Sequence, residues 1–398
     1  MTPVRDWEER RFGEYCRQFK TLNVKDEPGL EPLSVTKDSG IVLQSQKFKK
    51  RIATDLRRYK VIRRGQFAYD PMSLYYGAIG RLDRVDVGVV SPAYITFTLD
   101  SSVDPEWFRQ VIHSPIALRK FIANTQGGNF KGKRKKTDWE SFSKIKFPTP
   151  PLDEQRKIAD ILASVDESIR TTEAVIEQTR LLRNVVGESL FASLSESSPT
   201  TELLRLVSKP IRNGYSPVCS DKPTGRWILG LGAITEDGLD DRAVKPVPLD
   251  NILANDYQIS TGDFLVSRSN TPERVGMAVL FRGEVASCSY PDLMMRFRVD
   301  GAGIDPGFLE WYLKSNQVRS YFKRTASGTS RSMVKITKDI LGRLPVPLPL
   351  LDEQIEISRI LAQHQRALEV SINLVESLNK TREGLLQDLL TGKVRVKP

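Results

Sequence analysis

Two stretches of this chain carry a seam of mainly apolar positions at alternating steps of four and three residues. The first runs Ile158, Leu162, Val165, Ile169, Thr172, Ile176, Thr179, Arg183, Val186, Leu190. The second, 199 positions later throughout, runs Ile357, Leu361, His364, Leu368, Ser371, Val375, Leu378, Arg382, Leu385, Leu389. A mean spacing of 3.5 residues sustained over four heptads or more is the signature of a coiled-coil seam. Its apolar core is Ile158, Leu162, Ile169 and Ile176 in one copy and Ile357, Leu361, Leu368 and Val375 in the other. The polar interruptions recur as well, Thr172 with Ser371 and Arg183 with Arg382. Two independent amphipathic helices, each lying on its own domain, are the alternative. The sustained heptad spacing in both copies favours mutual packing.

Each seam is entered through prolines, Phe147-Pro-Thr-Pro-Pro151 and Leu344-Pro-Val-Pro-Leu-Pro349. A proline donates no backbone hydrogen bond and biases its predecessor to extended structure, so these segments predict an extended lead-in that releases into helix. Leu-Asp-Glu-Gln follows in both copies. Asp153 and Asp352 are the expected N-caps, with Glu154 and Glu353 favoured by the helix dipole. Gly392 is the expected stop of the second helix.

The segments outside the seams share a second repeat. Tyr59 to Phe67 predicts a turn at Gly65 feeding a short strand, and Tyr257 to Phe264, with Gly262, matches it in type with a one-residue difference in spacing. Gly276 to Leu280 matches Gly77 to Arg81, and Ser289-Tyr-Pro291 stands where Val90-Ser-Pro92 stands. Gly88–Val90 and Ala93–Phe97 read as strands. Asp104-Pro105 and Asp305-Pro306 each read as a cap and first turn of a helix running to Phe121 and Phe322. The plan is therefore domain, helix, domain, helix, with boundaries at 1–147, 148–198, 199–346 and 347–398. The expected fold is α+β: two α/β domains in pseudo-two-fold tandem repeat, separated by two long helices forming an antiparallel coiled coil. Each helix of about 40 residues would span about 60 Å at 1.5 Å per residue. An antiparallel rod of that length would hold the two domains a fixed distance apart.

Charge gives this plan a chemistry. Residues 1–150 hold 28 Lys/Arg against 17 Asp/Glu, a net +11, and residues 199–346 hold 20 against 16, a net +4. Residues 151–198 hold 5 against 9, and 347–398 hold 7 against 7. Both non-seam segments are basic and the seams are not, which points to a polyanion partner for the domains; mere solubility is the plainer reading. The basic clusters are Lys131, Lys133, Arg134, Lys135 and Lys136, with Arg331 and Lys335 at the corresponding loop of the second copy, and Lys47, Lys49 and Lys50. They suit phosphate contact, against the alternative of a solvated loop. Arg268 and Arg274 flank the turn after a strand, where arginine can address guanine O6 and N7.

Other chemistry is thinly supplied. The three cysteines, Cys16, Cys219 and Cys288, are far apart, and His113 and His364 are the only histidines. A disulfide framework, a zinc knuckle or a His-based metal site lacks material. There is no membrane-length apolar run and no signal-peptide pattern, so a cytoplasmic protein is expected. Gly127-x4-Gly132-Lys133 begins like a P-loop, but Arg134 replaces the Ser/Thr and a helix rather than a strand precedes it. Ser91-Pro92-Ala93-Tyr94 lacks the second proline of an amino-methyltransferase tetrad. Ile228-Leu-Gly230-Leu-Gly232 lacks the aromatic lead of a cofactor loop.

The doubled proline entry into Leu-Asp-Glu-Gln and its apolar helix, the alternation of domain and helix, and the ends Ala326 to Ile336 and Leu389 to Val396 resemble the specificity (S) subunits of type I restriction–modification systems. The resemblance covers essentially the whole chain; the Lys-rich loop 128–136 departs from the family's small-polar pattern. It implies a non-catalytic subunit that binds double-stranded DNA, each domain reading half of a split target. It also implies partnership with two modification (M) methyltransferase subunits and with restriction (R) subunits. No cofactor is expected on this chain; S-adenosylmethionine, ATP and Mg are expected in the partners. Two other classes stand beside it: a coiled-coil interaction scaffold with incidental charge, and a free-standing DNA methyltransferase, whose motifs are missing.

Overall fold

The seams form two unbroken helices, Leu152–Ser197 and Leu351–Leu390, in a computed structural model describing residues 7–25, 29–37, 39–47, 55–126, 135–330 and 333–396. Ile158, Leu162, Ile176, Ile357, Leu361 and Leu368 are buried along them, while Ile169 and Val375 are half-buried. Gly392 ends the second helix in the left-handed region, φ 70°, its N–H reaching Leu389 O. Asp153 and Asp352 are not caps. Gln155 N already bonds to Pro151 O and Gln354 N to Leu350 O, so helical bonding starts upstream and the aspartates sit inside the first turn. The helix dipole favours carboxylates there too.

The chain divides into two compact units, Met1–Thr172 with Leu374–Pro398, and Glu173–Asn373. Each long helix therefore gives one part to each unit. In the first unit Ile158 and Leu162 share a core with Leu386, Leu389 and Leu390, and Asp166 meets Arg382. In the second, Gly187 lies against Leu361 and Arg183 bonds to Gln365. Each unit thus holds an antiparallel pair of helix segments, as the heptad spacing predicts. At Gly187 a Cβ would only just touch Leu361, at 3.6 Å.

The sheets repeat. In the first unit an antiparallel sheet runs Cys16–Phe19, Ile95–Leu99, Phe67–Tyr69, Ile79–Arg81. Its counterpart runs Val207–Asn213, Met294–Val299, Phe264–Ser267, Ala278–Leu280. One cross-strand ring pair is preserved: Phe67 on Phe97 with centroids 5.3 Å apart, Phe264 on Phe297 at 4.9 Å. Such pairs fix register, because a one-residue slip would turn a ring out of the core. A second sheet in the first unit orders Gly40–Leu43, Pro32–Thr36, Val87–Val90, Lys60–Arg63, with the middle two parallel. In the second unit Val244–Pro246, Trp227–Leu229 and Cys288–Ser289 follow the same pattern, and a bridge from Gln258 to Ser289 stands in for the fourth strand.

Asp104 caps Pro105–Ile112, accepting from Glu106 N and Trp107 N, and Asp305 caps Pro306–Lys314, accepting from Phe308 N. Neither helix continues to its expected phenylalanine. Ser114 breaks the first and caps Pro115–Ala123; Ser315 breaks the second and caps Asn316–Thr325. Pro115 has no N–H to carry the helix on. The second break has no proline, and there Glu188, from the long helix, accepts from Asn316 N at 2.7 Å.

Candidate nucleic-acid interface and the joints behind it

Each unit presents a turn beside an antiparallel pairing. In the second unit Thr271-Pro272 to Gly276 links Phe264–Ser267 to Ala278–Leu280. Gly276 lies at φ 75°, where a Cβ would meet the Phe322 ring at 2.2 Å. Part of the loop expected to carry Lys335 is instead a small sheet, in which Met333–Lys335 pairs with Ser327–Ser330 and with Ser269–Asn270. Backbone pairing therefore brings Arg268 and Lys335 together: Ser269 faces Lys335 and Ile336 N donates to Arg268 O. Lys335 is exposed and Arg268 half-buried, with its guanidinium donating to Asp292 O. Arg274 holds its own scaffold, donating to Gly232 O and Ile234 O.

The first unit has the same parts with different residues. Asp70-Pro71 to Gly77 is the turn, with Gly77 at φ 93°. Gln126 and Lys136 exchange both backbone hydrogen bonds, an antiparallel bridge that stands where the small sheet stands in the second unit. Thr137 N donates to Pro71 O, joining that bridge to the turn. Lys135 Nζ lies 5.1 Å from the Tyr75 ring centroid, and the Tyr76 ring lies against Tyr75 with 59% of its surface exposed. Sequence pattern does not single out Tyr75 and Tyr76. The matched Asp70-Pro71 to Gly77 and Thr271-Pro272 to Gly276 are the signal that points to them.

Of the other basic residues expected at the interface, Lys131, Lys133, Arg134, Lys49, Lys50 and Arg331 lie outside the described residues, as does the P-loop-like stretch. Lys135 and Lys136 are exposed at the bridge. Lys47 ends the short helix Gln44–Lys47, which follows the edge strand of the other sheet and so belongs to a different part of the unit.

Behind each candidate interface the Asp-Pro helix, Pro105–Ile112 or Pro306–Lys314, is tied to the long helices. Gln155 Oε1 accepts from Asp104 N at 2.7 Å, and its Nε2 donates to Pro150 O and Ser102 O. Gln354 Oε1 accepts from Asp305 N at 2.8 Å, and its Nε2 donates to Pro349 O and toward Gly303 O. The seam arginines make the second tie. Arg382 pairs with Asp166 and donates to Gln110 of helix Pro105–Ile112. Arg183, 4% exposed, pairs with Asp237, bonds Gln365 and lies over Trp311 of helix Pro306–Lys314. Burial would raise the Asp237 carboxyl, but its hydrogen bond to Arg180 and the charges of Arg183 and Arg180 hold it below the usual carboxylate range.

The first unit has one further clasp. Glu154 accepts two hydrogen bonds from Arg395, one from Trp7 Nε1 and one from Val396 N. Among the described residues no group of three or more His, Cys, Asp or Glu is placed to hold a metal, and no helix is long and apolar enough to cross a membrane.

Residues 112–179 match a family model described as the type I restriction modification DNA specificity domain. The chain is 26% identical over 274 residues to the type I restriction enzyme EcoKI specificity subunit of Escherichia coli K12, covering 64% of this chain and 59% of that one. It is 25% identical over 284 residues to the MjaVIII specificity subunit of Methanocaldococcus jannaschii, covering 65% and 64%. The matches therefore span less than two thirds of either relative. The crystal structure of a type I restriction–modification S subunit from M. genitalium has the same fold, with a TM-score of 0.57 at 14% identity, over 97% of this chain and 96% of that one.

Proposed function

We propose, from its similarity to specificity subunits of type I restriction–modification systems, that this chain is the non-catalytic DNA reader of such a complex. It binds double-stranded DNA and reads a split target, one half through each turn and the pairing beside it. The observation that carries this is the duplicated interface. Equivalent backbone presents Tyr75, Tyr76, Lys135 and Lys136 in one unit and Arg268 and Lys335 in the other. One frame with two chemistries is what an asymmetric bipartite target requires, because phosphate contacts position and base-edge contacts specify. The lysines supply the first, and Arg268 and the exposed Tyr76 are placed for the second.

The long helices set the distance between the half-sites and offer a platform for two M subunits. Leu181, Leu182 and Val185 of the first helix expose 66%, 52% and 57% of their surface, more apolar area than a solvated helix face needs. S-adenosylmethionine belongs to the M subunits, and ATP and Mg to the R subunits, which this chain directs to the target. Any base that is modified must be flipped out by a partner. Methylome sequencing of the host with and without the gene tests the reading. One bipartite motif with a fixed spacer should disappear with the gene. Loss of no motif, or of a contiguous one, would refute it. Purified complex with no sequence preference on DNA would favour the scaffold class instead.

A further inference from the structure

We infer that Gln155 and Gln354 are positioning residues that fix the angle between each recognition module and its long helix, and thereby the spacer length the protein accepts. The inference rests on the split-target reading of the proposed function. Of the four residues in the repeated Leu-Asp-Glu-Gln, the glutamine is the one whose side chain makes the same contacts in both units. Glu154 is buried against Arg395 whereas Glu353 is exposed, and Asp153 and Asp352 face solvent.

Each glutamine is 1% exposed and its carboxamide is fully engaged, one acceptor and two donors. Its partners come from two different segments. Pro150 O and Pro349 O belong to the extended entry; Asp104 N with Ser102 O, and Asp305 N with Gly303 O, belong to the turn that starts the recognition helix. The residues whose amides are held are themselves the caps of those helices. One side chain on the long helix thus fixes both the entry and the start of the recognition helix. The far part of each recognition helix is tied separately, through Gln110 to Arg382 and through Trp311 to Arg183. Two ties along one helix define an angle, where one would leave a pivot.

The chemistry demands glutamine. Methionine has its length but no donor and only a weak acceptor, glutamate has no donors at neutral pH, and asparagine is one methylene short. Removing the amide leaves the tie at the seam arginine and loosens the other. The module should then still read its bases while its distance from the other half-site varies.

The test uses the assembled complex with M subunits carrying Gln155→Met, Gln354→Met, or both, with long-read methylation mapping as the readout. The half-site bases should stay the same. Methylation at sites one base pair longer or shorter than the parental spacer should rise about tenfold, the scale of one net hydrogen bond. A single retained spacer in the double variant would overturn the inference, as would complete loss of methylation by protein of unchanged circular dichroism. If the methionine variants do not fold, Gln155→Asn and Gln354→Asn give the milder lesion. Failure of those to fold as well would assign the glutamines to stability alone and overturn the proposal. A contiguous target for the unmodified protein would instead sink the split-target reading, before any variant is compared.

Discussion

Arg395→Ala should loosen the first unit and leave the second unchanged. Glu154 is 1% exposed and accepts from Arg395 Nε at 2.8 Å, Arg395 Nη2 at 2.9 Å, Trp7 Nε1 at 3.1 Å and Val396 N at 3.2 Å. Deleting the arginine leaves a buried carboxylate with two neutral donors. For a fully buried pair such a loss costs about 3–5 kcal/mol. The Arg395 side chain is 35% exposed, so water screens part of it, and about 2 kcal/mol is the reasonable scale. That is about a thirtyfold change in a local opening equilibrium. The assay is amide hydrogen exchange. Residues 391–396 and strand Glu8–Arg11, which pairs with Lys146–Thr149, should lose that much protection at pH 7. Strand Thr200–Glu202, paired with Pro345–Pro347, is the internal control, because there the chain runs directly from the long helix into the strand. Burial would raise the Glu154 carboxyl, but Arg395, Trp7 and the Val396 N–H together hold it below its ordinary value. The stabilisation is thus fully present above the unfolded carboxylate value of about 4.3 and is lost as pH falls through the lower folded value. The effect of the mutation should shrink in that acid window. Unchanged protection at Glu8–Arg11, or an equal loss at Thr200–Glu202, would refute the reasoning.

Four further outcomes are expected. Lys135→Ala with Lys136→Ala should weaken DNA binding by the complex and lower its logarithmic salt slope by about one unit for each phosphate no longer neutralised, read by titration at several salt concentrations; an unchanged slope would remove these lysines from the interface. Tyr76→Ala should alter affinity for one half-site only, measured on targets with each half scrambled in turn. Gly276→Ala combines a positive φ with a clash against Phe322, so it should destabilise the second unit by about 2–4 kcal/mol, visible as a lowered thermal transition. Inserting four residues into either long helix should change the preferred spacer or abolish assembly, since it shifts the seam out of phase; unchanged spacing and assembly would rule out the ruler.

Local pattern carried much of this protein. The heptad seams, the aspartate caps of Pro105–Ile112 and Pro306–Lys314, the positive-φ glycines of the turns that flank the Phe67 and Phe264 strands, and Gly392 all follow from short-range rules of period, capping and backbone freedom, and each appears where its residues put it. The doubling made the domain order legible without any contact being known. Other features needed distant residues to meet. Asp153 looked like a cap because the rule weighs only its neighbours, whereas the first helical bond had already formed upstream at Pro151. Ser315 ends a helix with no proline to signal it, because Glu188, 128 positions away, takes the Asn316 N–H. Tyr75 and Tyr76 carry no signal of their own in the sequence; the Thr137–Pro71 hydrogen bond is what brings Lys135 beside them. The sequence alone determined that there are two repeated domains on two matched helices. Tertiary structure decided which glutamine, arginine and glutamate join them, because a buried polar side chain takes its role from partners that only the folded chain brings within hydrogen-bond reach.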